Sequence, residues 1–281
     1  MNTNANALGA ISKQQVSRSI KLKYFQEKPN VGDHFSLVLA SHYFSSNIIV
    51  SSDDQPLTQE NLLLVGSIVE WADAMSYICG SGLMFSESKL KTQPKSINCV
   101  RGPLTEFFMR RQGIKFTKPV LFGDPAVLAP KIFPRNQAPC TQIGIIPHYV
   151  DEEVPWIMDC HKKGLSVIDI LSPLDEFFDK IQQCEIVLSS SLHGIIFAHA
   201  YMKPALWIEL SDHVGGNGFK FFDYYLSIGV SPEKVTRIRV RDNIDPYEIA
   251  KFATEGNHTD LISSVETAIY QTNCQLNEAI P

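Results

Sequence analysis

The stretch Cys184–Pro204, CEIVLSSSLHGIIFAHAYMKP, decides the fold of this chain. An apolar run, Ile186–Leu188, ends in three serines and a Leu-His-Gly corner, and a second apolar segment then runs to Lys203-Pro204. This order is typical of a buried strand that feeds a helix, and the apolar run Ala205–Glu209 predicts that another strand follows. The corner places backbone N–H groups, small hydroxyls and the His193 imidazole at a helix N-terminus, which favours the binding of an anion.

Short apolar strands and helices alternate on both sides of this stretch. Residues 130–139 interrupt the alternation with three prolines and are the best linker candidate, because proline blocks both helix and central strand. The alternation predicts an α/β fold with two Rossmann-like domains and mostly parallel sheets, one over residues 21–133 and one over 140–281. Residues 1–20 are expected to be a flexible lead-in, and a closing helix over Asp260–Gln271 is assigned to the second domain. The remaining predicted strands are Leu22–Phe25, Ile48–Val50, Leu62–Val65, Tyr77–Cys79, Ile97–Val100, Ile143–Ile146 and Leu165–Ile170, and the remaining helices are Asp33–Phe44, Leu104–Gln112, Val154–Lys163 and Leu174–Gln183.

The composition is that of a folded chain of 281 residues, with 44% hydrophobic and 20% charged residues and a net charge of −5. The negative charge argues against broad nucleic-acid binding. The six cysteines form no CxxC pair, which predicts a reducing compartment and no disulfide framework. No apolar run approaches the ~18–20 residues of a membrane span, and the N-terminus has no apolar signal core. We therefore expect a cytoplasmic protein without an integral membrane segment.

The histidines form neither an HxxxH nor an HExxH spacing, so we expect no metal.

Four further blocks accompany SSSLHG in a fixed order. They are PNVGDHFS (Pro29–Ser36), VRGPLTEFFMRRQG (Val100–Gly113), LFGDPAVLAP (Leu121–Pro130) and GNGFKFFDYYLSIG (Gly216–Gly229). With these blocks, the chain resembles the polysaccharide pyruvyltransferase family from about Tyr24 to Gly229. The resemblance implies transfer of pyruvate from phosphoenolpyruvate to hydroxyls of a sugar in an exopolysaccharide or capsule precursor, with a pyruvate ketal as product and no cofactor. It also implies a glycosyltransferase-B-like arrangement of the two halves around a central cleft.

The resemblance assigns catalysis to His193 and Arg101. His193 would be the general acid that protonates the methylene carbon of phosphoenolpyruvate, because an imidazole starts with a pKa of ~6.5. A helix N-terminus lowers that pKa, and the bound phosphate and carboxylate would raise it again. Arg101 would grip the phosphate with its fork of N–H donors. The structural alternatives are a histidine bonded to its own loop and a solvated arginine at a strand end.

Many members of the family carry arginine directly before Leu-His, where this chain has Ser191. Serine supplies no charge, so another cation has to bind the donor. Besides Arg101, the candidate is Lys220, which we expect in a glycine-flanked loop that could fold over the substrate. The other residues expected at the donor are Ser190, Ser191, Gly194, Asn30 and Gly32.

Four polar residues are expected to contact the acceptor: Asp33, His148, Glu209 and Asp212. Asp33 is alternatively a helix cap, and the other three are alternatively polar loop residues. Two other functions stay open, namely a glycosyltransferase that uses a nucleotide sugar and a non-catalytic scaffold in polysaccharide assembly. The sequence leaves open the acceptor sugar, its linkage and the oligomeric state. A lipid-linked acceptor would place the protein at the inner face of the membrane.

Overall fold

The computed structural model describes residues 19–44, 47–51, 59–134, 136, 138–241, 243–257 and 259–278. Within them, the named strands form two sheets in which neighbouring strands run parallel. The strands are β1 (Ser19–Lys23), β2 (Asn47–Ser51), β3 (Asn61–Leu63), β4 (Ser76–Cys79), β5 (Ser96–Val100), β6 (Leu121–Phe122), β7 (Thr141–Ile146), β8 (Ser166–Val167), β9 (Cys184–Ser189), β10 (Ala205–Glu209) and β11 (Arg237–Arg239). The helices are α1 (Val31–Tyr43), α2 (Pro103–Arg111), α3 (Ala129–Ile132), α4 (Pro155–Lys162), α5 (Leu174–Gln183), α6 (Leu192–Ala200), α7 (Phe219–Ser227), α8 (Pro246–Ala250) and α9 (Thr259–Glu278).

In both sheets, the strands that come later in the chain lie on both sides of the first strand. The first sheet has the order β2-β1-β3-β4-β5-β6, so the chain continues from β1 to opposite sides. The second has the order β11-β10-β9-β7-β8, so β8 and β9 flank β7. Crevices that bind ligands form at such points, outside the carboxyl ends of the strands. The topology therefore predicts a ligand site at the segments that follow β1, β3, β7 and β9.

An aromatic cluster joins the two halves. Phe35 of α1 contacts Phe178 of α5 and Phe197 of α6, with ring centroids 5.7 and 5.6 Å apart. All three rings are buried, and aromatic pairs of this kind contribute beyond the area that they bury. Because α1 follows β1 of the first sheet and α6 follows β9 of the second, this packing brings the first turns of the two helices together. The result is two Rossmann-like sheets with interleaved helices, as predicted, and consistent with the glycosyltransferase-B-like arrangement.

Three predictions about single elements need correction. The segment around Lys220 is the helix α7 and not a loop. Pro130 lies in the first turn of α3, where a missing N–H is tolerated, so the proline-rich segment begins inside a helix. Of the predicted lead-in, residues 1–18 lie outside the described residues, and Ser19 and Ile20 already belong to β1.

The closing helix α9 packs against β4, β5 and β6 of the first sheet, although the sequence analysis assigned it to the second domain. Asn98 of β5 donates a hydrogen bond to the Thr272 hydroxyl of α9 over 2.8 Å. The elements β6, β11, α3 and α8, each of five residues or fewer, were not anticipated from the sequence.

Candidate functional site

A cavity of about 210 Å³ lies between the two halves, at the carboxyl ends of β1 and β3 on one side and of β7 and β9 on the other. The first half contributes Phe25, Asn30, Asp33, Ser67, Ile68, Glu70, Trp71 and Met84, and the second contributes His148, Tyr149, Ser191, Leu192, His193 and Lys220. Of the predicted site residues, the structure thus brings six to one cavity: Asn30, Asp33, His148, Ser191, His193 and Lys220.

His193 lies in the first turn of α6 and faces the first turn of α1. A Cβ atom added to Gly32 would lie 1.8 Å from the His193 Nδ1, so only glycine leaves room for the imidazole. The pKa of His193 is lowered to about 3, mainly by burial and in addition by the nearby charges of Lys220 and Arg101. The imidazole is therefore neutral at neutral pH when the cavity holds no anion. This is the direction expected from the sequence, with burial as its main cause.

The corner before α6 is held in place by three residues that do not line the cavity, namely Ser189, Ser190 and Gly194. The Ser189 hydroxyl donates to the Ile146 carbonyl over 2.7 Å and accepts from the Ser191 N–H over 3.0 Å. A Cβ atom at Gly194 would lie 2.3 Å from the Ser189 Oγ. Gly194 therefore allows α6 to approach β9. Of the three serines, only Ser191 lines the cavity.

A buried carboxylate, Asp151, ties this corner to the loop after β7. The Ser190 hydroxyl donates to the Asp151 Oδ2 over 2.6 Å and accepts from the His148 N–H over 2.9 Å. The Ser211 hydroxyl donates to the other oxygen of Asp151. Ser190 thus positions His148, which lines the cavity, and does not line it itself. Burial lowers the pKa of His148 to about 3, and the charge of Lys220 acts in the same direction.

Lys220 is the cation on the cavity wall among the residues that the structure describes. It is only 7% exposed, and no described residue forms a hydrogen bond or an ion pair with its ammonium group. Burial lowers the pKa of Lys220 to about 8, and the charge of Arg101 adds to this effect. A buried lysine without a partner is costly, so the cavity is prepared for an anion.

Arg101 lies behind the wall of the cavity. Its side chain is completely buried, and its guanidinium donates to the Asp223 Oδ2 over 3.0 Å, to the Ser67 hydroxyl over 2.6 Å and to the Leu83 carbonyl over 2.6 Å. A Cβ atom at Gly82 would lie 2.3 Å from the guanidinium carbon. Arg101 is therefore not solvated, and it reaches the cavity only through Ser67.

Asp33 is a buried carboxyl group on the opposite wall. The cap of α1 is Asn30, whose side chain accepts from the Gly32 N–H over 2.9 Å, so the alternative of Asp33 as the cap is wrong. Burial raises the pKa of Asp33 to about 7; the charge of Lys220 lowers this value, and that of Asp124 raises it. Asp33 can therefore exchange protons near neutral pH.

The structure does not bring Glu209 and Asp212 to this cavity. They line a separate cavity of about 90 Å³, on the other side of Ser190. Glu209 pairs with Arg237 over 3.2 Å and Asp212 with Arg239 over 2.7 Å, and both pairs are exposed to solvent.

Sequence reasoning missed the aromatic residues of the cavity and the carboxylates behind it. Phe25, Trp71 and Tyr149 follow β1, β3 and β7, so their place after a strand was a usable signal. No such signal exists for Asp223, which lies 122 positions from its partner Arg101.

In the described ranges, no three His, Cys, Asp or Glu side chains group so that they could hold a metal ion. No helix in these ranges is both long and apolar enough to cross a membrane.

Comparisons with known proteins identify the family. The model of the polysaccharide pyruvyl transferase family matches residues 30–212. Uncharacterized protein L143 of Acanthamoeba polyphaga mimivirus is 25% identical over 255 residues, which cover 88% of this chain and 88% of the viral protein. The succinoglycan biosynthesis protein ExoV of Rhizobium meliloti (strain 1021) is 29% identical over 166 residues, 55% of this chain and 48% of that protein. Because the family model covers well over half of the sequence, including residues on both walls of the cavity, the chain belongs to the polysaccharide pyruvyl transferase family.

Proposed function

We propose that this enzyme transfers pyruvate from phosphoenolpyruvate to two hydroxyls of one sugar in a polysaccharide precursor and forms a pyruvate ketal. The observation that carries the proposal is the arrangement of Lys220, His193 and Asp33 around one cavity. The donor has a phosphate and a carboxylate, and Lys220 is a buried cation whose ammonium group has no hydrogen bond or ion pair among the described residues. His193 and Asp33 are two groups that can move protons beside it.

Donor binding is proposed to use Lys220 as the fixed charge. The Ser191 hydroxyl faces the same cavity and can donate one further hydrogen bond to the phosphate or carboxylate. Backbone N–H groups of the first turn of α6 add partial positive charge on the same side. In this proposal Arg101 acts from behind the wall, because its N–H groups already bind Asp223, Ser67 and Leu83.

The reaction needs a proton donor at the methylene carbon of phosphoenolpyruvate. Protonation there makes an oxocarbenium-like centre at the adjacent carbon, and a sugar hydroxyl attacks that centre and loses its proton. A second hydroxyl then forms the other C–O bond as the C–O bond to phosphate breaks, and its proton leaves with the phosphate. The protein therefore has to supply one proton and to accept one in the first step.

His193 is proposed to donate the proton, but only after the donor has bound. With a pKa of about 3, free His193 would be almost entirely neutral. One unit charge at ~4 Å contributes about 4 kcal/mol at an effective dielectric constant of ~20, which corresponds to about three pKa units. The two anionic groups of phosphoenolpyruvate can therefore bring the imidazole into the range where it works as an acid. Asp33, with a pKa of about 7, is proposed to accept the proton of the attacking hydroxyl.

The acceptor is proposed to enter over the aromatic part of the wall. Phe25, Trp71 and Tyr149 offer apolar ring faces, while Asp33 and Glu70 offer hydrogen-bonding groups. A sugar has both apolar C–H faces and hydroxyls, so this mixture suits it. We place the enzyme in the cytoplasm, at the inner face of the membrane if its acceptor is lipid-linked.

The test is calorimetry with the purified protein, in which phosphoenolpyruvate and a panel of nucleotide sugars are titrated separately. We expect phosphoenolpyruvate alone to bind. The His193→Ala variant should bind it within a few fold of wild type and should lose phosphate release with acceptor by at least about 100-fold, the usual size of general acid catalysis. Binding of a nucleotide sugar alone would support the glycosyltransferase alternative, and binding of neither class would support a scaffold.

A further inference from the structure

Asp223 of α7 accepts three hydrogen bonds from the first half of the chain. Its carboxylate accepts from the Arg101 Nε over 3.0 Å, from the Thr105 N–H over 3.0 Å and from the Thr105 hydroxyl over 2.7 Å. Asp223 and Arg101 are both completely buried. These bonds connect a helix between β10 and β11 of the second sheet with the corner between β5 and α2 of the first half.

The contact with Thr105 is a helix cap supplied by a distant part of the chain. The residue at the N-cap position of α2 is Gly102, which has no side chain to cap the helix. Thr105 is the third residue of α2, and its N–H is the one that a capping side chain usually binds. A Cβ atom at Gly102 would lie 2.0 Å from the Asp223 backbone oxygen, so glycine is what allows α7 to come this close. A carboxylate at a helix N-terminus is also favourable for the helix dipole.

Lys220 lies three residues before Asp223 in the same helix. Residues three apart share one face of a helix, so the rotation and depth of α7 that satisfy Asp223 also fix where Lys220 points. Among the described residues, the ammonium group of Lys220 has no hydrogen bond or ion pair, and its cation–π contact is with Phe221 of the same helix, 5.9 Å from the ring centroid. Its position therefore depends on the helix that carries it.

We propose that Asp223 is a positioning residue for donor binding: by capping α2 and pairing with Arg101 across the two halves, it holds Lys220 in the cavity. The inference rests on the proposed function, because it assigns donor binding to Lys220. Under this proposal, donor binding requires the contact between the two halves of the chain. Arg101 contributes as the partner of Asp223 and need not touch the donor.

The test is a double-mutant cycle on the dissociation constant of phosphoenolpyruvate, measured by calorimetry. Asp223→Asn keeps the shape but loses the charge, and misplacement of a binding group by ~1 Å can cost up to about 100-fold, so we expect a loss of about tenfold. Lys220→Met should cost about 30- to 100-fold, the loss of one charge-assisted contact. If Asp223 acts through Lys220, the double variant binds no more weakly than Lys220→Met alone. Multiplication of the two effects would overturn the inference.

The controls separate positioning from general destabilisation and from a wrong donor. Asn98→Ala removes another buried contact between the first sheet and a later helix, and it should lower the melting temperature without changing the dissociation constant. If Asp223→Asn does not fold, Thr105→Val replaces it in the cycle, because it removes the hydroxyl donor and leaves the charges in place. Failure of the wild type to bind phosphoenolpyruvate would refute the proposed function. Wild-type binding with an unchanged constant in Asp223→Asn would refute this inference alone.

Discussion

The affinity for phosphoenolpyruvate should depend on the protonation of Lys220. The pKa of Lys220 is lowered to about 8, mainly by burial, so the ammonium loses its proton within an accessible pH range. The phosphate group of the donor has a second pKa of ~6 and is fully charged above neutral pH. If only the protonated lysine binds the donor, the dissociation constant is flat below pH 8 and rises about tenfold per pH unit above it. Between pH 7 and pH 9.5 the loss should be about 30-fold.

Of the other titrating groups at the cavity, Asp33 overlaps the lower end of this window. In the free protein His193 and His148 have pKa values of about 3 and are neutral throughout this range. The bound donor raises the pKa of His193 by about three units, so proton uptake at His193 affects donor binding at pH values below this window. Asp33 has a pKa of about 7, and its ionisation adds a negative charge that weakens donor binding between about pH 6 and pH 8. The Asp33→Asn variant removes that contribution, so the rise above pH 8 in this variant belongs to Lys220.

The matched comparison is Lys220→Arg against Lys220→Met. Arginine keeps its proton at every pH of the experiment, so Lys220→Arg should bind with nearly constant affinity up to pH 9.5. Lys220→Met should bind weakly at every pH, because the charge is absent. Calorimetric titrations at four pH values in a buffer series of constant ionic strength give these curves. A flat curve for the wild type, or a rise that persists in Lys220→Arg, would show that the reasoning is wrong.

Two further predictions concern the other wall of the cavity. Gly32→Ala should reduce turnover by about 100-fold or more, because the new methyl group would lie 1.8 Å from the His193 Nδ1 and must displace the imidazole; unchanged kinetics would exclude the placement of His193. Asp33→Asn should lose turnover but gain stability. The pKa of Asp33 is raised from 3.8 to about 7, so its contribution to stability is present below pH 4 and is lost as the pH rises through 7. At pH 8 the cost is of order 4 kcal/mol, so the variant should melt several degrees higher there and like the wild type at pH 4.

The fold could be predicted largely because its central strands are buried on both faces. Such strands appear in the sequence as short apolar runs, and Ala205–Glu209 and Leu174–Gln183 match β10 and α5 without any shift. The helix α7 was missed because glycines flank it on both sides, at Gly216 and Gly229, and this resembles a loop. The place of α9 could not be predicted, because an amphipathic pattern shows that a face is buried but not which sheet buries it.

The site could be predicted only where local sequence determines position. Residues after parallel strands gather at one edge of a sheet, and this rule located His148 and His193. The rule does not predict how deeply a side chain is buried below the cavity wall. We therefore expected Arg101 at the donor, whereas its guanidinium is enclosed by Ser67, Leu83 and Asp223. That enclosure depends on packing between halves that are far apart in sequence.

The low pKa values of His148 and His193 have burial as their main cause and a positive charge at the cavity as the second. The charge of Lys220 lowers the pKa of both His148 and His193, beyond the effect of burial. In the proposed mechanism an anion cancels this field, so His193 gains a proton only when phosphoenolpyruvate is in place. If the His193 imidazole were already protonated in the empty cavity, it could protonate molecules other than the donor. Proton uptake on donor binding restricts the acid to phosphoenolpyruvate. Replacement of Lys220 by methionine should therefore raise the pKa of free His193, and a nuclear magnetic resonance titration of the imidazole would measure that change. An unaltered His193 titration in Lys220→Met would mean that burial alone sets its pKa, and that donor binding does not act through the lysine's field.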